Sequence, residues 1–300
     1  MKSIFKQFNK KTAFTLVELL TVMTIVVILF SLLVPSLNMV RRYAKRVKQN
    51  AQFHSIAAGL DLFDGEFDGY PPSDPCDTAG SDYCGAMKLC EAMVGQDLLG
   101  VHENTIFRMD GTDGGTVNLY PTFSDPLTAT DRENLKARKG PYVPVERVTV
   151  CAMEELYSSV APFDPCSVVL CDEYSRVRNL KTGKKVGMPI LYYKADISKT
   201  YHDPEKMGQS QNIYDSADNQ ALVDLPLPWD AAFNHLMASS GTAPDGSTAD
   251  DEIFYGDEYG IRDEKIASIP RPKNADSYIL ISAGFDGVYG TEDDVFNFPD

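Results

Sequence analysis

Three hundred residues with 28 basic and 43 acidic side chains give a formal net charge of −15, and the charge is strongly segregated. Residues 1–48 hold nine Lys or Arg and one acid, Glu18, which leaves 19 basic and 42 acidic residues, a net of −23, in the rest of the chain. That excludes nucleic-acid binding through a phosphate-neutralising surface and describes a soluble, self-repelling part receptive to divalent cations; the length allows one or two domains.

The chain opens on a basic leader with Lys2, Lys6, Lys10 and Lys11. Between Lys11 and Arg41 lie 29 residues, of which only Glu18 is charged. The apolar stretch from Phe14 to Val40 exceeds the about 20 residues that a bilayer span needs. It is also longer than the roughly 7–15-residue core of a secretory signal peptide, and no Ala-x-Ala site follows it. An ionised side chain inside a bilayer costs about 2.5–3.5 kcal/mol on insertion scales, so Glu18 calls for a cationic partner. The segment offers none. A new amino terminus made by cutting just before Phe14 would supply one. The leader lysines favour a cytoplasmic leader under the positive-inside rule, but the basic residues beyond the span flank it just as strongly, and the leader is placed inside because the cut before Phe14 is expected there. A second basic cluster, Arg41, Arg42, Lys45, Arg46 and Lys48, then lies outside, where it would meet acidic surface on neighbouring subunits or lipid head groups.

Beyond the span, Val40, Tyr43, Ala44, Val47 and Ala51, then Phe53, Ile56, Ala57, Leu60 and Phe63, recur at helical spacing. The pattern predicts one helix from about Phe14 to about Asp64, bending at Pro35. Gly65, Gly69 and Pro71-Pro72 stop it.

The run Ala13-Phe14-Thr15-Leu16-Val17-Glu18-Leu19-Leu20, behind its basic leader, resembles the type IV prepilin and pseudopilin family. The resemblance implies cleavage by a prepilin peptidase between Ala13 and Phe14, with methylation of the new amine. Ala13 stands where the family usually has Gly. Glu18 would be the fifth residue of the mature chain and the assembly residue, paired with the Phe14 ammonium of a neighbour. Pro35, the twenty-second residue from Phe14, matches the helix-bending Pro of many members. Gly69-Tyr70-Pro71-Pro72-Ser73 resembles the post-helix turn of major pseudopilins. The implied layout is a leader at 1–13, a transmembrane and filament-core helix at 14–40, an amphipathic helix at 41–68 and a globular head at 69–300.

Residues 73–186 are rich in Gly, Pro, Asp and Cys and read as insertions in the head. They hold a short helix over Leu89–Leu99 and short apolar runs at 147–150 and 168–170. Asp110-Gly111-Thr112-Asp113-Gly114-Gly115 reads as a turn cluster, with a calcium role as the alternative. Six cysteines, Cys76, Cys84, Cys90, Cys151, Cys166 and Cys171, predict disulfides in an exported domain, with 15 possible pairings. The alternative is reduced, buried thiols. No Cys-x-x-Cys pair supports a metal site. Pro189–Ala195 and Asp276–Ser282 read as strands, with a small helix or turn at Asp218–Leu225 and at Phe233–Met237. The fold class is α+β: a long helix on a small, mostly antiparallel sheet, with large loop insertions.

The last strand leads into Ser282-Ala283-Gly284-Phe285-Asp286-Gly287-Val288-Tyr289-Gly290-Thr291-Glu292-Asp293-Asp294. Three glycines permit a tight loop, and calcium takes six to eight carboxylate and carbonyl oxygens. The spacing is not that of an EF-hand. The loop resembles the calcium-binding loop of major pseudopilins of type II secretion systems. The resemblance implies Asp286, Asp293 and Asp294 as side-chain ligands, Ala283 and Thr291 as carbonyl ligands, and Glu292 pointing outward.

The expected function is structural: a single-pass inner-membrane subunit, with its head in the periplasm or cell exterior, that forms a helical filament driving protein secretion. The partners implied are further copies, other pseudopilins, the peptidase, and an inner-membrane assembly platform with its ATPase. The alternatives are a type IV pilus subunit and a helix-anchored extracytoplasmic binding protein or adhesin. Four scattered histidines and no nucleophile elbow, His-pair metal motif or phosphate loop argue against an enzyme.

Overall fold

The computed structural model describes residues 15–123, 126–206, 211–263 and 270–298. The expected cleavage pair, Ala13 and Phe14, lies outside these residues. The described chain is α+β, a long amino-terminal helix followed by short helices and small antiparallel sheets.

Helix α1 spans Leu16–Phe67 with Pro35 inside it. Its start is a capping box. The Thr15 hydroxyl accepts the Glu18 N–H at 3.2 Å, and the Glu18 carboxylate accepts the Thr15 N–H at 2.9 Å. Two of the backbone donors that every helix start leaves over are thus satisfied reciprocally. The chain divides into two compact units, residues 1–44 and 45–300. In the first, every described side chain from Leu16 to Ala44 is exposed although most are apolar. In the second, α1 buries Gln49, Gln52, Phe53, Ile56, Leu60 and Phe63. The expected apolar face starts later than the sequence suggested, because Tyr43 and Val47 remain exposed while two glutamines are buried. Gln52 donates to the Cys171 carbonyl at 2.9 Å, and Gln49 accepts the Glu173 N–H at 2.9 Å. They replace ladder bonds where a strand ends. The helix also passes Gly65, its expected stop. Phe67 stacks on Phe63 at 4.3 Å, and this packing outweighs the weak helix propensity of one glycine. Asp68 ends the helix at φ 58°, its N–H bonded to the Asp64 carbonyl.

Helix α2 covers Gly85–Val94, not Leu89–Leu99, and all ten of its residues are buried. Its Ala86 N–H is capped by the Asn219 side chain at 2.9 Å. Lys88 donates to the Asp74 and Cys76 carbonyls. Glu91 accepts from the Tyr83, Thr105 and Tyr120 hydroxyls and from the Gln96 amide. Its polar side is buried with the rest, so residues 73–186 read as insertions while supplying part of the core.

Strand β1 (Val101–His102) pairs with β2 (Arg138–Lys139), which follows helix α3 (Ala129–Lys136). Strand β3 (Thr149–Ala152) leads into the one-turn α4 (Met153–Leu156) and pairs antiparallel with β4 (Val168–Cys171). Strands β5 (Val177–Arg178) and β6 (Lys185–Val186) form a hairpin. The central three-stranded sheet is antiparallel in the order β7 (Leu191–Lys194), β8 (Tyr278–Ser282), β9 (Val295–Phe296). Its register sets Leu191 against Ile281 and Lys194 against Tyr278. Helix α5 (Ala217–Val223) follows β7, whereas Phe233–Met237 is irregular chain ending in a turn at Leu236 and Met237. Helix α2 packs on β4 and β7. The loop between β8 and β9 therefore hangs from the best-buried strand of the head.

Candidate functional site

The β8–β9 loop runs from Ala283 to Asp294. Gly284 has φ +62°, and a Cβ there would lie 2.1 Å from the Asp293 carbonyl; Gly287 has φ +75°, and a Cβ there would lie 2.7 Å from the Arg176 and Trp229 side chains. Both positions need glycine on conformational and steric grounds. Tyr289 nails the loop to the head. Its hydroxyl donates to the Pro189 carbonyl and its N–H donates to His235 Nδ1 at 3.1 Å. The His235 proton then sits on Nε2, and burial pushes this imidazole down to about 3. The Arg176 guanidinium stacks on the Trp229 ring at 4.6 Å, and both line a 250 Å³ cavity with Asp245, Asp286 and Thr291.

The three expected carboxylate ligands all belong to this loop, but each already serves it. Asp286 Oδ1 accepts the Val288 N–H at 2.7 Å. Asp293 Oδ2 accepts the Phe285 and Asp286 N–H groups at 2.7 and 3.0 Å, and its Oδ1 takes the Thr291 hydroxyl at 2.8 Å. Asp294 Oδ2 accepts the Gly290 N–H at 2.8 Å and the Tyr259 hydroxyl at 2.5 Å. The Ala283 carbonyl accepts the Gly287 N–H, and the Thr291 carbonyl accepts the Asp294 N–H. Two carboxylates are nonetheless short of solvation. Burial, with Asp293 beside it, pushes Asp286 up to about 6. Asp294 is 5% exposed and burial holds it well above the usual carboxylate range. Its Oδ1 is buried without a hydrogen-bond partner. Glu292 is exposed, as expected.

As chemistry the donor set suits a hard cation: carboxylate and carbonyl oxygens only. As placement it brings the donors onto one loop without gathering them. Among the described residues no group of three or more His, Cys, Asp or Glu is arranged to hold a metal ion. No family model, no curated protein and no solved structure matches the chain. The earlier turn cluster is self-contained: Asp110 pairs with Arg108 at 2.6 Å, which holds its carboxyl down to about 2, and Asp113 accepts the Gly115 N–H.

At the other expected site, Glu18 sits on an exposed helix start and bonds to Thr15. It therefore has a local role that the sequence reading missed, although Thr15-Leu16-Val17-Glu18 carries the Thr-x-x-Glu signature of a capping box. Among the described residues one helix, α1, is long and apolar enough to cross a membrane, a composition that would equally serve a signal sequence. Tyr259, His235, Arg176 and Trp229, which fix the carboxy-terminal loop, lie far from it in sequence and carry no local signal. All six cysteines are free thiols.

Proposed function

We propose that this chain is a pilin-like filament subunit, nearest in character to a pseudopilin of a type II secretion system. It is cut between Ala13 and Phe14, methylated at the new amine, and held in the inner membrane by residues 14–40, with its head in the periplasm or cell exterior. Further copies, other pseudopilins and an ATP-driven platform assemble it into a helical filament. One observation carries the reading. A single helix, α1, is mostly apolar and, in its described side chains, solvent-exposed from Leu16 to Val40, and core-forming from Gln49 onward. Exposed apolar surface of that extent belongs against lipid or against the same surface of other copies. A pilin-like subunit uses it for both, before and after assembly.

The proposal includes one calcium ion on the β8–β9 loop, held by Asp286, Asp293 and Asp294 with the Ala283 and Thr291 carbonyls. Its support is the desolvated Asp286 and the partnerless Oδ1 of Asp294. To share one ion, the three carboxylates would draw together from the arrangement described above. Calcium there would neutralise charge that burial now disfavours.

The deciding experiment is mass spectrometry of the amino-terminal peptide of the chain taken from its own membrane. The expected peptide begins at N-methylated Phe14. A chain starting at Met1, or after residue 35, would overturn the proposal.

A further inference from the structure

Strands β3 and β4 bring two thiols to one buried face. The register sets Cys151 opposite Val169 and Thr149 opposite Cys171, so the cysteines are diagonal neighbours on the same side of the ladder. They are 3% and 0% exposed. Each thiol is among the groups that shift the other's titration. The fully buried Cys90 of α2 is the third thiol nearby, while Cys76 and Cys166 are exposed.

We propose that Cys151 and Cys171 are an oxidisable pair that closes into a single disulfide joining β3 to β4 in the exported head. The proposal rests on the extracytoplasmic reading only for its oxidant, a protein or small-molecule disulfide. The two thiols are not equivalent. Cys171 and the Asn179 side chain hold the Cys151 thiol below its ordinary range against its burial, whereas Cys171 is held well above it by Cys151 and by burial. Cys151, the less completely buried of the two, is the attacking thiolate. It adds to one sulfur of the donor disulfide, whose S–S bond breaks and releases one donor thiolate. Cys171 gives up its proton and attacks the Cys151 sulfur of the mixed disulfide, releasing the second donor thiolate. The pair loses two electrons and two protons, and the donor leaves as two thiols. Diagonal strand neighbours lie about 7–8 Å apart, and a disulfide spans about 4.4–6.8 Å between Cα atoms. Closure therefore draws the strands together by on the order of an ångström.

The test uses the full chain, reduced and in detergent, incubated with glutathione disulfide at urea concentrations up to its unfolding midpoint so that burial does not hide the thiols. Remaining thiols are alkylated in denaturant, and peptides are read by mass spectrometry without reduction. The expected product is one cross-linked pair containing Cys151 and Cys171, two hydrogens lighter than the separate peptides. Cys84 and Cys90 should be alkylated, and Cys76 and Cys166 alkylated or carrying glutathione. The oxidised chain should melt higher than the reduced chain, and Cys151→Ser should abolish that gain. Alkylation of both Cys151 and Cys171, or a bridge from either to Cys90, would overturn the pairing. A bridge that forms with glutathione disulfide but is missing from chains alkylated directly in cells would sustain the pairing and count against the exported location instead.

Discussion

Replacing Asp172 by Asn should stabilise the head at neutral pH and change nothing near pH 4. Asp172 follows β4 and is 2% exposed. Its Oδ1 accepts the Tyr174 and Met188 N–H groups at 3.0 and 3.2 Å, and its Oδ2 accepts the Ser282 hydroxyl at 2.8 Å. Burial nevertheless pushes the carboxyl up from 3.8 to about 7, against those bonds and against the Lys45 ammonium. Lys45, which donates to the Tyr174 carbonyl, is itself lowered, chiefly by burial. For both partners desolvation outweighs attraction. Between pH 4 and 7 the unfolded chain has released the Asp172 proton while the folded chain keeps it. The folded state binds more protons there, so this group's contribution falls as pH rises through the window. A carboxyl raised from 3.8 to about 7 corresponds to on the order of 4 kcal/mol. Asn keeps a carbonyl for the two N–H bonds, can donate to Ser282, and never ionises. The buried imidazoles His202 and His235, both pushed down to about 3, act with the opposite sign, so the readout is variant minus parent. Melting curves at pH 4, 5, 6 and 7.5 should show a difference near zero at the acid end, growing to on the order of 10 °C at the other, at roughly 2–4 °C per kcal/mol for a domain of this size. A difference that is the same at every pH would refute the desolvation argument.

Glu18 has two roles to separate. Glu18→Ala removes the cap together with the charge. Glu18→Gln keeps the capping geometry, so both variants should enter the membrane and both should fail to give sedimentable filaments; normal assembly of Glu18→Gln would reject pairing with a neighbour's Phe14 amine. For the calcium loop, the full chain in detergent should melt higher with calcium, by about 2.7 kcal/mol at a hundredfold excess over Kd. The emission of Trp229, the chain's one tryptophan, should shift with it. Asp286→Ala or Asp293→Ala should remove both effects and Glu292→Ala neither, while indifference to chelator would make the loop an ordinary acidic turn. Gly85→Ala should destabilise strongly, because its Cβ would lie 2.2 Å from the Tyr192 carbonyl, whereas Gly65→Ala, with nothing within 4 Å, should stabilise by up to about 1 kcal/mol. Urea midpoints in the reverse order would contradict the packing of α2 against β7.

The sequence was legible where one face of an element meets the core and the other meets water, and where a β-branched and aromatic run marks a strand buried on both faces. The spacing of Phe53, Ile56, Leu60 and Phe63 revealed α1, and the β-branched and aromatic runs at 191–194 and 278–282 revealed β7 and β8. It failed where polar side chains are buried. Helix α2 is buried all round, including the side that carries Lys88 and Glu91, which in the sequence looks water-facing. Gln49 and Gln52 look like surface residues until the end of β4 is seen to need their hydrogen bonds. The loop carboxylates were visible as a local string. Their solvation was not, because it depends on Tyr259, His235, Arg176 and Trp229 arriving from elsewhere in the chain. Glu18 shows the opposite bias: its oddity as a charge in an apolar run hid its ordinary use in a cap.

The polar interior of α2 has a consequence for how the head yields to attack. Lys88 fastens the carbonyls of residues 74 and 76, and three residues on, Glu91 gathers Tyr83, Gln96, Thr105 and Tyr120. Long turns with little regular structure ordinarily invite proteases and rapid amide exchange. Here the turns between residues 74 and 120 are tied to a helix that cannot leave without opening the core. The tied stretches would be expected to open only with β4 and β7, whereas the exposed tip at 113–118 would be nicked with the head still folded.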